Sequence, residues 1–262
     1  MHNKPRIKES KVKSTNQNGF SFDQIQVTIV GNSGFLIAAG DRKVLIDAFF
    51  EGFPPGYTLP TNVRDLLVKA QPPFDHVDLI LATQAHGDVF SAAVVKHNLQ
   101  TCPNTVFVST TQASSQLPNF GERVIAADPA ESSPVNLEAY GIKVEAIYMS
   151  HGYPPNDPKE IFNNAYIVTL NGTTFFHTGD IADLQDVEQY RLADKHIDIA
   201  FIQHFHLLDD GFRDLLKHDI GATYLFPIHY QFTEPVFDAN VVLSNYPQAI
   251  LFNVELEERR LK

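Results

Sequence analysis

Residues 81–91 read LATQAHGDVFS and close the apolar run Val77–Leu81, VDLIL. A His-Gly-Asp placed just past a buried strand offers imidazole and carboxylate together, the donors that zinc and related ions prefer. His86 and Asp88 lie two apart, so an extended backbone would aim both to one side. A tight turn would instead let them reach two neighbouring ions. The flanking residues weaken the pattern, because Gln84 offers only a neutral amide oxygen and Val89 has no lone pair. An ordinary turn with a hydrogen-bonding histidine explains this stretch equally well unless other donors occupy equivalent places in the chain.

They do. His151 follows IYMS, Asp180 follows FFHTG, and His229 follows YLFPI, each an apolar strand signal. Side chains at strand ends gather at one edge of a sheet, where loops build sites in many α/β folds. Five donors (His86, Asp88, His151, Asp180 and His229) at the ends of successive strands point to one cation site more than to scattered caps. His2, His76, His97, His196 and His218 sit in polar or helical surroundings and read as ordinary histidines.

Outward from these points the chain falls into two similar halves. Gln26–Ile37 and Lys43–Ile46 read as strands around the turn AAGDRK, ending in Asp47. A short helix is expected over Val63–Ala70, a buried strand over Val77–Leu81, a helix capped by Ser91 and running to about Asn98, and a strand over Thr105–Ser109. In the second half Ala165–Leu170 and Thr173–His177 flank Asn171-Gly172, the strongest short hairpin signal. That hairpin ends in Asp180 as the first ends in Asp47. A helix over Asp183–Leu192, a strand over Ile197–Gln203, a helix from Asp210 to His218 and a strand over Thr223–Ile228 follow. NYPQAILFNVEL reads as the last strand. The expected organisation is a flexible tail over residues 1–19 and one domain over residues 20–262.

Composition narrows the partners. With 44% hydrophobic and 19% charged residues the chain has the make-up of a globular core. A net charge of −11 disfavours nucleic acid and anionic membranes, which select basic surfaces. Cys102 is the single cysteine, so neither an internal disulfide nor a cysteine-built zinc cage is available. No apolar run approaches the roughly 20 residues that span a bilayer. The N-terminal MHNKPRIKESKVKSTNQNG lacks a hydrophobic core region, so it is not an intact signal peptide. A cytoplasmic location is expected, with an exported form that has lost its leader as the alternative.

Six stretches together resemble one family: GNSGF (31–35), LIDAF (45–49), TQAHGDVF (83–90), SHG (150–152), FHTGDIA (176–182) and FPIHY (226–230). Their order and spacing are similar to the metallo-β-lactamase fold superfamily, and among its members to hydrolases like ascorbate-6-phosphate lactonase. The resemblance runs from about Val27 to Tyr230. It implies an α/β architecture, a four-layer αββα sandwich with metal bound at one edge of two packed sheets. It further implies that His86 and His151 serve one ion, Asp88 and His229 a second, and Asp180 bridges both. Gln84 and Val89 stand where the family motif has histidines, and Asn32 stands where a histidine is usual near the site. One divalent ion, zinc, is therefore expected rather than two. His204 or His206 is a candidate compensating ligand if QHFH (203–206) is extended, and Gln84 a weak one. His177 and Asn32 are expected to support the ligands from behind.

The function implied is hydrolysis of a small or medium-sized ester, lactone, amide or phosphoester, with Asp88 or Asp180 orienting water. The loops FEGFPPGYTLP and HGYPPNDPKEIF, with Phe53, Tyr57 and Tyr153, are expected to shape the mouth of the site. The alternative is a catalytically weak or inactive protein that uses the same fold as a binding module.

Overall fold

Consecutive side chains in the central strands are apolar on both faces, so each sheet must be covered twice. The computed structural model describes residues 25–52, 58–131, 133–152, 161–230, 232 and 239–261. The expected tail over residues 1–19 and the pocket residues Phe53, Tyr57 and Tyr153 lie outside the described residues. One sheet is ordered β13-β1-β2-β3-β4-β5-β6, formed by Glu258–Leu261, Ile25–Gly31, Gly34–Ala39, Arg42–Ile46, Leu79–Leu81, Val106–Ser109 and Val124–Ala126. The other is ordered β12-β11-β10-β9-β8-β7, formed by Tyr224–Ile228, Ile199–Gln203, Thr173–His177, Phe162–Leu170, Ile142–Ser150 and Val135–Ala139.

Alternation sorts the strand residues into layers. Phe35 and Ile37, Val44 and Ile46, Phe175, Ile199 and Phe201 meet in one cluster fed by both sheets. Their neighbours Leu36, Leu45 and Ile80 pack instead with Val63 and Leu67 of helix α1 (Thr61–Val68) and with Val94, Val95 and Leu99 of α2 (Ala92–Thr101). Phe176, Ala200 and Ile202 face Leu184, Val187, Leu215, Leu216 and Val242 from the helical segments of the second half. Helix, sheet, sheet, helix is the result, the expected four-layer sandwich. Among the described residues no helix is long and apolar enough to cross a membrane.

The two halves are echoes at the level of pairing. β2-β3 and β9-β10 are antiparallel hairpins, and each continues into parallel neighbours: β3-β4-β5 and β10-β11-β12. Asn171 and Gly172 both have positive φ, as a two-residue hairpin turn requires. β7 and β8 turn in the same way on Tyr140-Gly141, where the glycine was the only local signal.

Several expectations need correction. Gln26–Ile37 is not one strand, because Gly31-Asn32-Ser33-Gly34 reverses the chain between β1 and β2, with Asn32 in the left-handed region. Gly34 is required there: a Cβ would sit 2.7 Å from the Asp47 carbonyl oxygen. NYPQAILFNVEL forms no strand beyond an isolated bridge of Ala249 to Leu225. The chain turns at Val254–Glu257, with Leu256 at positive φ, and the last strand is the charged segment Glu258–Leu261 paired to β1. The expected helix over Asp183–Leu192 is a 3₁₀ segment, Leu184–Tyr190, and the one from Asp210 divides into Asp210–Phe212 and a wider turn over Leu215–Ile220.

The sheets are joined by aromatic packing. Phe35 of β2 lies 4.5 Å, centroid to centroid, from Phe201 of β11, which stacks at 5.3 Å on Phe226 of β12. Phe201 is fully buried. Phe201→Ala removes the centre of this contact, and a loss of about 3–5 kcal/mol is expected in urea unfolding. A loss below about 1 kcal/mol would show that the sheets are held elsewhere.

Candidate metal centre

The C-terminal ends of β4, β8, β10 and β12 lie along one edge of the sandwich, and the donors predicted from the sequence leave from these ends. The loop after β4 is pinned between the sheets. Ala82 accepts hydrogen bonds through its carbonyl from Ser109 Oγ (2.7 Å) and Tyr166 Oη (3.0 Å), and Asn164 N–H donates to the Thr83 carbonyl at 2.8 Å. Thr83 then donates its N–H and hydroxyl to the two oxygens of Asp47, at 2.7 and 2.8 Å. Beyond it the chain turns at His86, whose carbonyl accepts from the N–H groups of Val89 and Phe90. The tight turn, not the extended form, is therefore what the sequence adopts at HGD.

His86, His151 and Asp180 converge: one ligand atom from each lies within 4.8 Å of the other two. Among the described residues this is the one group of three such donors. His151 Nε2 is 2.9 Å from Asp180 Oδ2, and the rings of His86 and His151 meet edge to face at 4.8 Å. His229, at positive φ after β12, places Nε2 3.6 Å from Asp180 Oδ2 and 3.6 Å from Asp88 Oδ2. Asp88 itself is buried and lies beside, not within, the three-donor group.

The supports are equally defined. Asn32 Nδ2 donates to the Asp88 carbonyl (3.1 Å) and to Asp88 Oδ2 (3.4 Å), while the Asn32 carbonyl accepts from His229 N–H. His177 is fully buried; its Nδ1 accepts from Gly179 N–H at 3.1 Å, so Nε2 carries the proton and donates to the Ser33 carbonyl at 2.9 Å. Gly179 has φ +67°, and a Cβ there would run into Asn163 Oδ1 and Thr83 Cβ. The same Asn163 oxygen accepts the Asp180 N–H at 3.2 Å. Asp47, Thr83, Asn163 and Gln203 are site residues that the sequence did not single out. Asp47 alone left a signal, as an aspartate ending a strand where the second half has Asp180.

Gln84 is buried and aims its amide N–H, not its oxygen, at Asp180 Oδ2, at 3.5 Å; its Oε1 is buried with no hydrogen-bond partner. Val89 is 1% exposed and packs in the apolar layer with Phe49, Phe90 and Phe107. The expectation for His204 and His206 rested on an extended segment, and that premise fails, because His204–Leu208 is a helix, α3. Residues two apart on a helix diverge. Accordingly His204 Nδ1 reaches the Ile228 carbonyl and His206 Nε2 the Ile181 carbonyl, both at 3.4 Å, and neither joins the three-donor group.

Electrostatics follow from burial against pairing. Burial works to raise Asp180, but hydrogen bonds and charge from His151 and His229 outweigh it and hold the carboxyl well below the usual range. Burial works to lower His229, but Asp180 and Asp88 outweigh it and raise the imidazole to about 10. His86 is lowered by burial and then by the neighbouring His151, which favours the neutral, ligating form. Burial takes His177 down to about 4 and Asp47 up to about 8, the latter against its two bonds from Thr83.

Known proteins bear on this arrangement. The family model described as Beta-lactamase superfamily domain matches residues 26–203. A UPF0173 metal-dependent hydrolase of Pyrococcus furiosus is 27% identical over 231 residues, covering 81% of this chain and 87% of that protein. Another, from Nitratidesulfovibrio vulgaris, is 26% identical over 248 residues, covering 88% and 92%. Among solved structures, Igni18, a metallo hydrolase of Ignicoccus hospitalis, superposes with TM-score 0.65 at 19% identity, covering 91% of this chain and 99% of that one, a likeness of fold.

His229 gives a test that needs no ion. Its value is raised above the 6.5 of the unfolded chain. Its contribution to stability is therefore complete below about pH 6.5 and is lost as pH climbs through about 10. In chelator-treated protein the stability gap between wild type and His229→Gln, from urea titrations, should be widest near pH 6 and closed by about pH 10. A gap that stays constant over that range would contradict the pairing with Asp180 and Asp88.

Proposed function

The chain belongs to the β-lactamase superfamily domain family, and from that premise we propose that it is a metal-dependent hydrolase holding one divalent ion, zinc, between His86, His151 and Asp180. One observation carries this reading: three ligand atoms of the right chemistry lie within 4.8 Å of one another. Bonds of about 2.0–2.2 Å to one zinc ion place its donors roughly 3–4 Å apart, so the group needs little adjustment. Two imidazoles and one carboxylate also match the donor set of catalytic zinc sites that keep a position open. The buried Oε1 of Gln84 and Oδ1 of Asp88, both without hydrogen-bond partners, fit a site with a cation and water beside it. When bound, such an ion polarises a substrate oxygen and makes nearby water more acidic.

The remaining roles belong to the chain. Both oxygens of Asp180 are committed, Oδ1 to Gln203 and Oδ2 to His151. Asp88 keeps Oδ1 without a partner while Asn32 and His229 steady Oδ2. Asp88 is therefore the carboxylate that orients and deprotonates the attacking water. His229 Nε2, between the two carboxylates, holds a proton within reach of a leaving group. The substrate is a small or medium-sized ester, lactone, amide or phosphoester. An acidic chain, at net charge −11, favours such molecules over nucleic acid or a membrane surface.

A second reading is a binding module with little hydrolytic power. Its motivation is the apolar seat of Val89 and the amide of Gln84, both within the HGD stretch that should supply ligands. Zinc titration separates the two. Hydrolase chemistry predicts about one tightly held ion per chain, a larger loss of affinity for Asp180→Asn than for Gln84→Ala, and zinc-dependent cleavage within a panel of nitrophenyl esters, lactones and phosphodiesters. Wild-type protein that binds no divalent ion at micromolar concentration would overturn it, and zinc binding without any cleavage would favour the binding module.

A further inference from the structure

Gln203 is the last residue of β11 and fully buried, its backbone fixed by parallel pairing with Ile228 of β12. Its side chain spans two partners. Oε1 accepts the Ile181 N–H at 3.1 Å, and Nε2 donates to Asp180 Oδ1 at 2.6 Å. The orientation of the amide is forced. Reversed, it would set a carbonyl oxygen against the Asp180 carboxylate and an NH₂ against the Ile181 N–H.

We infer that Gln203 is a positioning residue for Asp180: it occupies Oδ1 and turns Oδ2 alone toward the cation. Asp180 is then anchored at both ends of its residue, with its N–H held by Asn163 Oδ1 and its carboxylate plane set by Gln203. Oδ2 is the oxygen that faces the site, 2.9 Å from His151 Nε2, 3.5 Å from Gln84 Nε2 and 3.6 Å from His229 Nε2. A carboxylate held in this way binds an ion through one oxygen, and it cannot swing to embrace it with two. Hydrogen-bonded partners behind a ligand commonly change metal affinity by about 10–100-fold when removed. The inference rests on the proposal above that Asp180 ligates an ion.

Cobalt(II) added to the metal-free protein reports on both affinity and ligand arrangement, the first by competition with a coloured chelator and the second by its visible absorption. Gln203→Leu keeps the volume and removes both hydrogen bonds. It should weaken cobalt binding by about 10–100-fold and alter the visible spectrum, because Asp180 is freed to bind through both oxygens. Gln203→Glu keeps an acceptor for the Ile181 N–H, so it folds if the leucine variant does not. Its spectrum should also depart from wild type, since an ionised carboxylate at that position cannot donate to Oδ1. A merely structural role would lower the melting temperature and leave the spectrum unchanged. Wild-type affinity and spectrum in either folded variant would overturn the inference while leaving the metal reading intact. Wild-type protein that binds no cobalt would overturn the metal reading first, and this inference with it.

Discussion

A carboxylate cannot remain charged where the two sheets meet unless its charge is answered, and Asp180 is answered on every side. Burial alone would cost several kcal/mol. His151 and His229 approach one oxygen, Gln203 takes the other, and Asn163 holds the backbone. These partners lie just past β8 and β12 and within β11 and β9, so satisfying one side chain aligns the ends of most of the second sheet. The first sheet is tied to the same point through Thr83, which links Asp47 to the neighbourhood of Gly179, and through His177, which reaches across to Ser33. The centre proposed for the chemistry is thus also a joint in the fold.

Much of this was legible in the sequence wherever the information is local. Asn171-Gly172 turns a hairpin because both residues tolerate positive φ, and Ser91 caps α2 because its hydroxyl accepts the Val94 N–H. Donors at strand ends could be recognised one by one, since each follows an apolar run. What escaped depends on distant partners. Glu258–Leu261 is a strand only because the edge of β1 is open to it, whereas the far more apolar NYPQAILFNVEL lies in irregular structure. Gln203, Asn163 and Thr83 look like ordinary polar residues until the two sheets close around them. His204 and His206 misled for the converse reason: their spacing favours a shared side in a strand, and a single turn of helix separates them.

Gln84 and Val89, which depart from the motif that the resemblance implies, read consistently in three dimensions. Val89 faces the apolar layer beneath the HGD turn, where a ligand would find no cation. Gln84 approaches Asp180 as a weak hydrogen-bond donor, not as an oxygen ligand. With Asp180 Oδ1 engaged by Gln203, donors from His86, His151 and Asp180 gather around one position, and Asp88 lies beside it with Oδ1 unpaired. In the proposed single-ion reading Asp88 is the carboxylate that handles water, so one ion position is compatible with hydrolysis.

The central claim is a single-ion centre built on two imidazoles and Asp180. X-ray absorption fine structure of the zinc-loaded protein addresses it most directly, because it counts imidazoles and detects any second metal. The account predicts two histidine ligands, the rest oxygen, and no metal–metal scattering. A metal–metal vector near about 3.5–4 Å, the spacing of two-metal sites, or a shell with three or more imidazoles would contradict it.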